Sequence, residues 1–590
     1  MNKFNNEEIA RLLRRVSAAY IIKNFNRFRI IAYDKAADSI EKSNIEVRDL
    51  WEQNRLSDLP GIGSTIAEHL DDLFKNGKVK HFEQAFANLP QGMFPLLDVP
   101  GFGPKKAYLL SDKFRLNDSD TAINKLLAIA KSGKIAPLEG FGAKSEQDII
   151  AALEGFIKGQ TKKKRMPLPY AYNAARLVIE YLKSNRATEN AYLLGSLRRG
   201  VSTIGDIDIG VATKKEQEVI NFFLKYPKSV KKIEQGESGA SILLITGQQI
   251  DIRVQRPESF GAMLQYFTGS KAHNIRLREL AVKKGLSLSE YGIKNIKTGK
   301  LKKYASEEGI YAALNLPFIP PELREDWGEI NAAEAQKLPE LIAREQIKGE
   351  VHVHSDYDLK PSHDLGASSV EELLQTAQKL NYEYLGISDH NPKISGLSEN
   401  QIISIMKKRK EHFEHILSSN KNIRVKLFIM LEVDILPDGN LALPAQAFDY
   451  VDAVLVSIHS SFTQDRETMT QRILTGLSHP KAKIFAHPSG RLIGKREGVN
   501  ADWDKVFDFC RQKNKALEIN SYPDRLDLAD IMVKKAVDSG NKLVIDTDSH
   551  HKEQMTLIDY GITVARRGWA EKKDILNTLP YNEFAEWLKN

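Results

Sequence analysis

Apolar residues recur every three to four positions through the first 90 residues of the chain. The pattern is clearest in IARLLRRVSAAYII (9–22) and STIAEHLDDLF (64–74). This spacing places the apolar side chains on one face of a helix, where they pack against a core. The first 90 residues are therefore predicted to form short packed helices.

Two segments with the composition of connectors divide the rest of the chain. TKKKRMPLP (161–169) is basic, and residues 317–345 hold three closely spaced prolines followed by a polar helix. Such stretches favour linkers between domains. Between them, YNAARLVIEYLKS (172–184) predicts a helix, and strands separated by glycines follow to about residue 260. This order is typical of a mixed α/β unit.

Short apolar segments alternate with helical stretches after residue 346. Seven of them are strand candidates: EVHVH, YLGISDH, LFIMLEV, AVLVSIH, KIFAHP, ALEIN and LVIDTDSH. Strands that alternate with helices predict parallel βαβ units, and seven such strands predict a closed barrel. Acidic residues and histidines stand at the C-terminal ends of these strands, where barrel active sites form.

Charge and histidine are distributed unevenly over the 590 residues. The net charge of +8 combines +11 in residues 1–345 with −3 in residues 346–590, and 11 of the 14 histidines lie in the second part. The basic part favours a polyanionic partner, because bound cations displace counterions from phosphates. The concentration of histidines in the second part indicates a metal site there. The single Cys510 and the lack of a signal peptide or membrane span predict a cytoplasmic protein.

Two glycine-containing turns each open a predicted helix. They lie in LPGIGSTIAEHL (59–70) and VPGFGPKKAYLL (99–110), and LEGFGAKSEQDII (138–150) repeats the pattern more loosely. Glycine caps of ordinary helices are the alternative for any single copy. Two copies about 40 residues apart favour helix-hairpin-helix motifs, in which backbone N–H groups bind a DNA phosphate at a helix N-terminus. The predicted DNA-binding glycines are Gly61, Gly63, Gly101 and Gly103.

Three aspartates form the first candidate chemical site. Asp206 and Asp208 alternate with isoleucines, so a strand would project both carboxylates from one face. Asp251, in QQIDIRVQ, is central in another alternating strand. Three such acids would suit two Mg²⁺ ions and in-line nucleotidyl transfer. Acids on solvent-facing strand positions are the alternative, so the assignment depends on neighbouring motifs.

Those neighbouring motifs resemble the family X DNA polymerases. Gly-Ser before two arginines (195–199) resembles the nucleotidyltransferase signature, and YFTGSKAHNIRLRELAVKKG (266–285) closely resembles the nucleotide-selecting segment of DNA polymerase beta. The resemblance covers residues 1 to about 320. It implies contacts to the triphosphate, the sugar, the minor-groove edge of the base and the template strand. The implied nucleotide-binding residues are Gly195, Ser196, Arg199, Gly205, Tyr266, Phe267, Gly269, Asn274 and Arg278.

The chain departs from that family at two positions. Aligning the first hairpin places His69 where members that remove 5′-deoxyribose phosphate carry a Schiff-base lysine. A neutral imidazole forms no imine, so lyase activity is not expected. Gln249 stands where polymerase beta has an arginine that orients the primer-side acid, so primer activation is expected to be tuned differently.

Histidine and carboxylate pairs mark the second candidate site. His352 and His354 are spaced i, i+2 on one strand, and Asp548 and His550 repeat that spacing on the last strand. The residues resemble the PHP (polymerase and histidinol phosphatase) family, a distorted barrel with a three-metal phosphoesterase centre. Imidazole-rich sites favour Mn²⁺ or Zn²⁺ over Mg²⁺. The implied ligands are His352, His354, His390, Glu432, His459, His487, Asp548 and His550, with Asp364 as the ninth and Asp358 in reserve.

These inferences give one architecture. We expect a helix-hairpin-helix domain (1–90), fingers with a second such motif (91–165), a nucleotidyltransferase palm (166–260), a thumb (261–318), a linker (319–345) and a distorted (β/α)₇ barrel (346–590). We expect a monomeric, nucleoid-associated polymerase that fills gaps in base excision repair from dNTPs on gapped or primer-template DNA. The second domain would be a 3′–5′ exonuclease, with AP-endonuclease or 3′-phosphatase activity open. The alternatives are a template-independent nucleotidyltransferase and a DNA-end-binding scaffold.

Overall fold

The computed structural model describes residues 4, 6–42, 47–52, 55–56, 62–99, 101–157, 165–245 and 247–590. The chain forms two compact units, one of residues 1–165 and 220–251 and the other of residues 166–219 and 252–590. No helix in these ranges is both long enough and apolar enough to cross a membrane.

The N-terminal part of the first unit is helical, as the spacing of its apolar residues predicts. Leu13, Leu70, Leu110 and Leu126 belong to one buried cluster that the helices share. The helices are α1 (Asn6–Ile22), α2 (Arg27–Lys42), α3 (Val47–Glu52), α4 (Ser64–Asn76), α5 (Lys80–Phe86), α6 (Met93–Leu96), α7 (Pro104–Lys113), α8 (Ala122–Lys131) and α9 (Ala143–Ile157).

A mixed α/β region follows. It comprises β1 (Met166–Pro167), α10 (Leu168–Lys183), β2 (Asn190–Leu193), α11 (Gly195–Arg198), β3 (Thr203–Ile204), β4 (Ile207–Ala212), α12 (Glu216–Phe223), β5 (Ser229–Gln235), β6 (Gly239–Leu244) and β7 (Gln249–Gln255). A five-stranded sheet has the order β2–β4–β7–β6–β5, and β1 pairs with β3. The pairs β2–β4 and β5–β6 are antiparallel.

The next region combines helices with a small sheet of order β10–β9–β8. Its elements are α13 (Phe260–Thr268), α14 (Lys271–Lys283), β8 (Leu286–Ser289), β9 (Gly292–Asn295), β10 (Leu301–Lys302), α15 (Glu307–Ala313) and α16 (Glu329–Glu334). Leu323 and Ile330 are buried in the same cluster as Leu277 and Tyr311. The proline-containing stretch after residue 317 is therefore packed against this region.

The C-terminal region is the predicted parallel barrel. Its strands, in their spatial order, are β11 (Gly349–Val353), β12 (Tyr384–Ile387), β13 (Lys426–Asp434), β14 (Ala453–Ser457), β15 (Ala482–Phe485), β16 (Ala516–Asn520) and β17 (Lys542–Asp546). Its helices are α17 (Val370–Lys379), α18 (Glu399–Ser419), α19 (Arg466–Leu477), α20 (Trp503–Gln512), α21 (Asp530–Asp538), α22 (Ile558–Arg567) and α23 (Tyr581–Lys589).

The ends of the first and last barrel strands meet. Val353 forms a parallel bridge with Ser549, and the His354 N–H donates to the Ser549 carbonyl at 2.8 Å. The seven strands thus nearly close on themselves. The helical N-terminus, the mixed sheet and the barrel confirm the predicted fold class.

Candidate functional site

The two aspartates of the first site lie at the start of β4. Ile207 and Ile209 are fully buried, whereas Asp206 and Asp208 are only partly buried, so strand alternation separates an apolar face from an acidic one. Gly195 has φ +56° and packs tightly here, since a Cβ on it would lie 2.9 Å from Oδ2 of Asp208. The Gly-Ser turn therefore needs glycine to approach this carboxylate.

Asp251 lies on β7 beside the residue that departs from the family pattern. The Gln249 side-chain amide donates to both carboxylate oxygens of Asp251, at 3.0 and 3.2 Å. Residues two apart on a strand share a face, which explains this contact. Gln249 thus orients Asp251 with a neutral group in place of a guanidinium.

The Arg199 guanidinium is held by two groups. Its Nη1 donates to the Thr268 carbonyl at 2.6 Å, and its Nε donates to Glu325 at 2.9 Å. Gly269 has φ +70°, and a Cβ there would lie 3.2 Å from the same Nη1. Arg199 and Gly269, predicted to contact the triphosphate and the sugar, are therefore neighbours.

The predicted base-reading residues form a connected group on α13 and α14. The Tyr266 and Phe267 rings make an edge contact with centroids 5.1 Å apart. Asn274 donates to the Tyr266 carbonyl at 2.7 Å and accepts from Gln265 at 2.8 Å. Arg278 donates to the Asn274 carbonyl at 3.1 Å. The Asn274 amide is thus engaged within the protein in this conformation.

Ser196 and Gly205 complete the set of predicted nucleotide-binding residues. Ser196 belongs to α11, and Gly205 directly precedes Asp206.

The glycines of the two hairpin motifs stand at helix starts. Gly63 and Gly103 are the residues before α4 and α7, and Gly101 has φ +83°, which favours glycine. A Cβ on any of these three would meet no atom within 4 Å among the described residues. Gly61 lies outside the described residues. The geometry leaves room for a ligand's backbone to approach both helix N-termini.

His69 lies in a cluster of aromatic side chains. Its Nδ1 is 2.6 Å from the Tyr33 hydroxyl, and its ring stacks on His81 with centroids 4.7 Å apart. Burial and the His81 charge lower the pKa of His69. The imidazole is therefore held neutral.

Histidines and carboxylates converge at the C-terminal ends of the barrel strands. Four overlapping groups have ligand atoms within 4.8 Å of one another. They are His354, His390 and His550; His352, His354, Glu432 and Asp548; His363, Asp434 and His459; and His390, Glu432 and His459. His487 contacts the same cluster through Nε2, which is 2.9 Å from Oε1 of Glu432.

The buried polar atoms of this cluster fit a divalent cation. His352 Nε2, His354 Nδ1, His390 Nδ1, His487 Nδ1 and Glu432 Oε2 are buried and lack a hydrogen-bond partner among the described residues. Leaving such an atom unsatisfied costs about 1–3 kcal/mol. Metal coordination removes that cost, and the donor set of imidazole and carboxylate matches transition-metal ions.

Burial and neighbouring charges together set the ionisation of Glu432 and His354. Burial raises the pKa of Glu432, but the charges of His390, His352 and His459 outweigh it and hold the pKa well below its usual value. Burial and the neighbouring His550 and His390 lower the pKa of His354. The cluster therefore supplies an ionised carboxylate and a neutral imidazole, the forms that bind metals.

Two further carboxylates orient the imidazoles through hydrogen bonds, and one of them, Asp434, also belongs to a candidate ligand group. His352 Nδ1 donates to Glu518 at 2.5 Å, and His459 Nδ1 donates to Asp434 at 2.7 Å. These contacts direct the Nε2 atoms toward the cluster centre. The sequence reasoning missed both acids, although each lies on a strand that carries or adjoins a predicted ligand.

A histidine that was not among the predicted ligands lies beside the cluster. His363 Nε2 lies 3.1 Å from the Asp434 carboxylate and groups with His459. Asp364 and Asp358 are exposed and belong to none of the groups found in the described part of the chain. Asp389, next to His390, instead pairs with the buried Arg409 at 2.7 Å.

Comparison with known proteins identifies three domains in the chain. Residues 4–79 match a helix-hairpin-helix domain, residues 263–325 the DNA polymerase beta thumb and residues 350–522 the PHP domain. The chain is 34% identical over 594 residues to the DNA polymerase/3′-5′ exonuclease PolX of Bacillus subtilis (strain 168), which covers 99% of each chain.

Two eukaryotic proteins resemble part of the chain. DNA polymerase lambda of Arabidopsis thaliana is 24% identical over 331 residues, covering 50% of this chain and 58% of that protein. DNA polymerase lambda of Rattus norvegicus is 22% identical over 351 residues, covering 55% and 56%.

Proposed function

The chain belongs to the family X DNA polymerases that carry a C-terminal PHP domain, and on that premise we propose that it fills short gaps during base excision repair and trims primer ends. It is a DNA polymerase and 3′–5′ exonuclease of this family. One observation carries the proposal: acidic strands and an imidazole-rich barrel occur in one chain that aligns end to end with a polymerase/exonuclease.

In the polymerase site, Asp206, Asp208 and Asp251 would hold two Mg²⁺ ions. When bound, the ions supply charge neutralisation for the attacking 3′-oxygen and the leaving pyrophosphate. Gln249 orients Asp251 through its side-chain amide, and the Arg199 guanidinium, held by the Thr268 carbonyl, would present donors to triphosphate oxygens. Together these residues would supply the carboxylates for the ions and the guanidinium for the triphosphate.

The other nucleotide contacts are proposed by family resemblance. Gly195, Ser196 and Gly205 would shape the triphosphate turn, and Tyr266, Phe267 and Gly269 would line the sugar pocket. Asn274 would leave Gln265 to meet the minor-groove edge of the base, and Arg278 would contact the template. The glycines at positions 61, 63, 101 and 103 would bind the DNA backbone, and dNTPs would be the second substrate.

In the barrel, the histidines and acids would hold three Mn²⁺ or Zn²⁺ ions. When bound, such ions would supply Lewis-acid activation of water and of the scissile phosphate. His363 joins the proposed ligands because its ring reaches the cluster. Glu518 and Asp434 fix the ring orientations of His352 and His459. The enzyme would act as a monomer in the cytoplasm, on nucleoid DNA.

Templated extension tests the proposal. A 5′-labelled primer is incubated on a one-nucleotide gap with each dNTP in turn, with Mg²⁺ or Mn²⁺, and degradation of the same primer is followed without dNTPs. We expect addition of the complementary nucleotide alone, together with shortening from the 3′ end. Addition of all four nucleotides on blunt or single-stranded ends would instead identify a template-independent transferase. Binding without either reaction would identify a scaffold.

A further inference from the structure

Helix α22 of the barrel packs directly against the turn that follows Arg199. Gly200 has φ +67°, and a Cβ on it would lie 2.2 Å from Cγ2 of Thr563 on this helix. The same helix packs on the barrel, since a Cβ at Gly561 would lie 2.1 Å from Oγ of Ser521. One helix therefore contacts both the barrel wall and the arginine turn of the proposed nucleotide site.

Arg567, the last residue of α22, is the centre of this contact. It is buried, with 3% of its surface exposed. Its Nη1 donates to the Arg199 carbonyl at 2.7 Å and to Oε1 of Glu325 at 2.9 Å, and its Nε donates to Asp530 at 2.6 Å. Glu325 Oε1 also accepts from Arg199 Nε at 2.9 Å. A single carboxylate oxygen thus joins two guanidinium groups.

This geometry fixes the orientation of Arg199. Its bonds to Glu325 and to the Thr268 carbonyl use two of the five N–H donors of a guanidinium and hold its plane. A planar guanidinium held in this way suits recognition of phosphate oxygens. The orientation of the Arg199 guanidinium therefore depends on Glu325, and Glu325 is in turn held by Arg567.

The charges of the group balance only when Arg567 is present. Arg199 and Arg567 face Glu325 and Asp530, two positive and two negative groups with little exposure to solvent. Without Arg567, Glu325 would be bound by Arg199 alone. The remaining Arg199, Glu325 and Asp530 would carry a net negative charge, which would repel a triphosphate.

We infer that Arg567 is a positioning residue for nucleotide binding, so that the PHP domain contributes directly to the dNTP affinity of the polymerase. Arg567 holds Glu325 and the Arg199 backbone, and Glu325 holds the Arg199 guanidinium toward the triphosphate. The inference rests on the proposed polymerase function and on the proposed role of Arg199. It links two domains whose chemistry is otherwise separate.

The neighbouring Arg566 offers a matched control. It also connects the barrel to the preceding region, with Nε donating to Glu322 at 2.7 Å and Nη1 donating to the Ile342 carbonyl at 3.0 Å. Its bonds run to the 319–345 stretch, whereas those of Arg567 run to Arg199 and Glu325. Loss of Arg566 therefore weakens the contact between domains without disturbing the charge balance at Arg199.

The test compares full-length wild type with R567M, R567K, R566M and the double variant R567M/E325Q. Single-nucleotide gap filling gives kcat and KM for the complementary dNTP, and exonuclease activity on single-stranded primer reports on the barrel. We expect R567M to raise KM about tenfold, which corresponds to roughly 1.4 kcal/mol, with kcat and exonuclease activity little changed. R567K should fall between R567M and wild type, and R566M should match wild type.

The double variant separates positioning from simple destabilisation. In the double variant the charges of Arg199 and Asp530 balance, and the glutamine oxygen at position 325 can still accept from Arg199 Nε, so the KM should lie closer to wild type than that of R567M. An unchanged KM in R567M, an equal rise in R566M, or no recovery in the double variant would each overturn the inference. A wild-type protein without templated extension would refute the proposed function itself.

Discussion

Replacing Glu518 with glutamine should weaken metal binding in the barrel without altering its shape. Glu518 is fully buried, and its two carboxylate oxygens accept from His352 Nδ1 and from the His487 backbone N–H. A glutamine side chain offers one carbonyl oxygen and an NH₂ group. One of the two N–H donors must therefore face another donor.

The expected loss follows from the bonds involved. A hydrogen bond to a charged group contributes about 1.5–3 kcal/mol. Outer carboxylates that orient ligating histidines typically contribute about 10- to 100-fold in metal affinity. We therefore expect the Mn²⁺ concentration that gives half-maximal exonuclease activity to rise roughly 10- to 100-fold in E518Q, with activity recovering at saturating Mn²⁺.

The assay is a Mn²⁺ titration of 3′-end degradation, with Glu372→Gln on α17, a partly exposed residue paired with Lys552, as the control. Gap filling in Mg²⁺ should be equal in the three proteins. A half-maximal concentration within about twofold of wild type would refute the role assigned to Glu518. Activity that excess metal fails to restore would show that Glu518 acts on the fold and not on the metal affinity.

Three other substitution experiments follow from the two sites. D206A/D208A should abolish nucleotide addition in primer extension, whereas affinity for gapped DNA in gel shifts and exonuclease activity should persist. Primer extension at a rate comparable to wild type would contradict the assignment of these aspartates as metal ligands. Borohydride should trap no Schiff base on 5′-deoxyribose-phosphate DNA, because His69 is a neutral imidazole; a strong covalent band would show that another amine serves. H354A or H550A should lose exonuclease activity and keep gap filling in Mg²⁺, as measured with 5′-labelled primers. Undiminished degradation in both variants would refute the proposed metal site.

The spacing of apolar residues predicted many of the helices and strands, because it depends on the local geometry of the chain. The seven barrel strands were foreseen, since each is a short apolar run bounded by polar residues, and β4 follows the two-residue alternation around Asp206 and Asp208. The position of His363 was not, because the loop before α17 has no periodicity to show which side chains lie near the cluster. There the fold brings His363 into one group with Asp434 and His459.

Long-range contacts account for the rest. A composition rich in proline and polar residues does not distinguish a free connector from an irregular segment that packs against a domain. In residues 317–345, Leu323 and Ile330 are in fact buried. Arg567 is 368 residues from Arg199 in the chain, so neither spacing nor motif could indicate their contact. Only the folded arrangement of α22 brings them together.

The near closure of the barrel has a consequence for how the enzyme is made. Its metal cluster draws on residues from both ends of the domain, and the contact between His354 and Asp548 joins positions 194 residues apart. During translation the N-terminal catalytic half leaves the ribosome first, while the last strand is still unsynthesised. A nascent chain that has not yet reached Asp548 therefore cannot assemble the hydrolytic centre, and nuclease activity arises only after this residue has been synthesised.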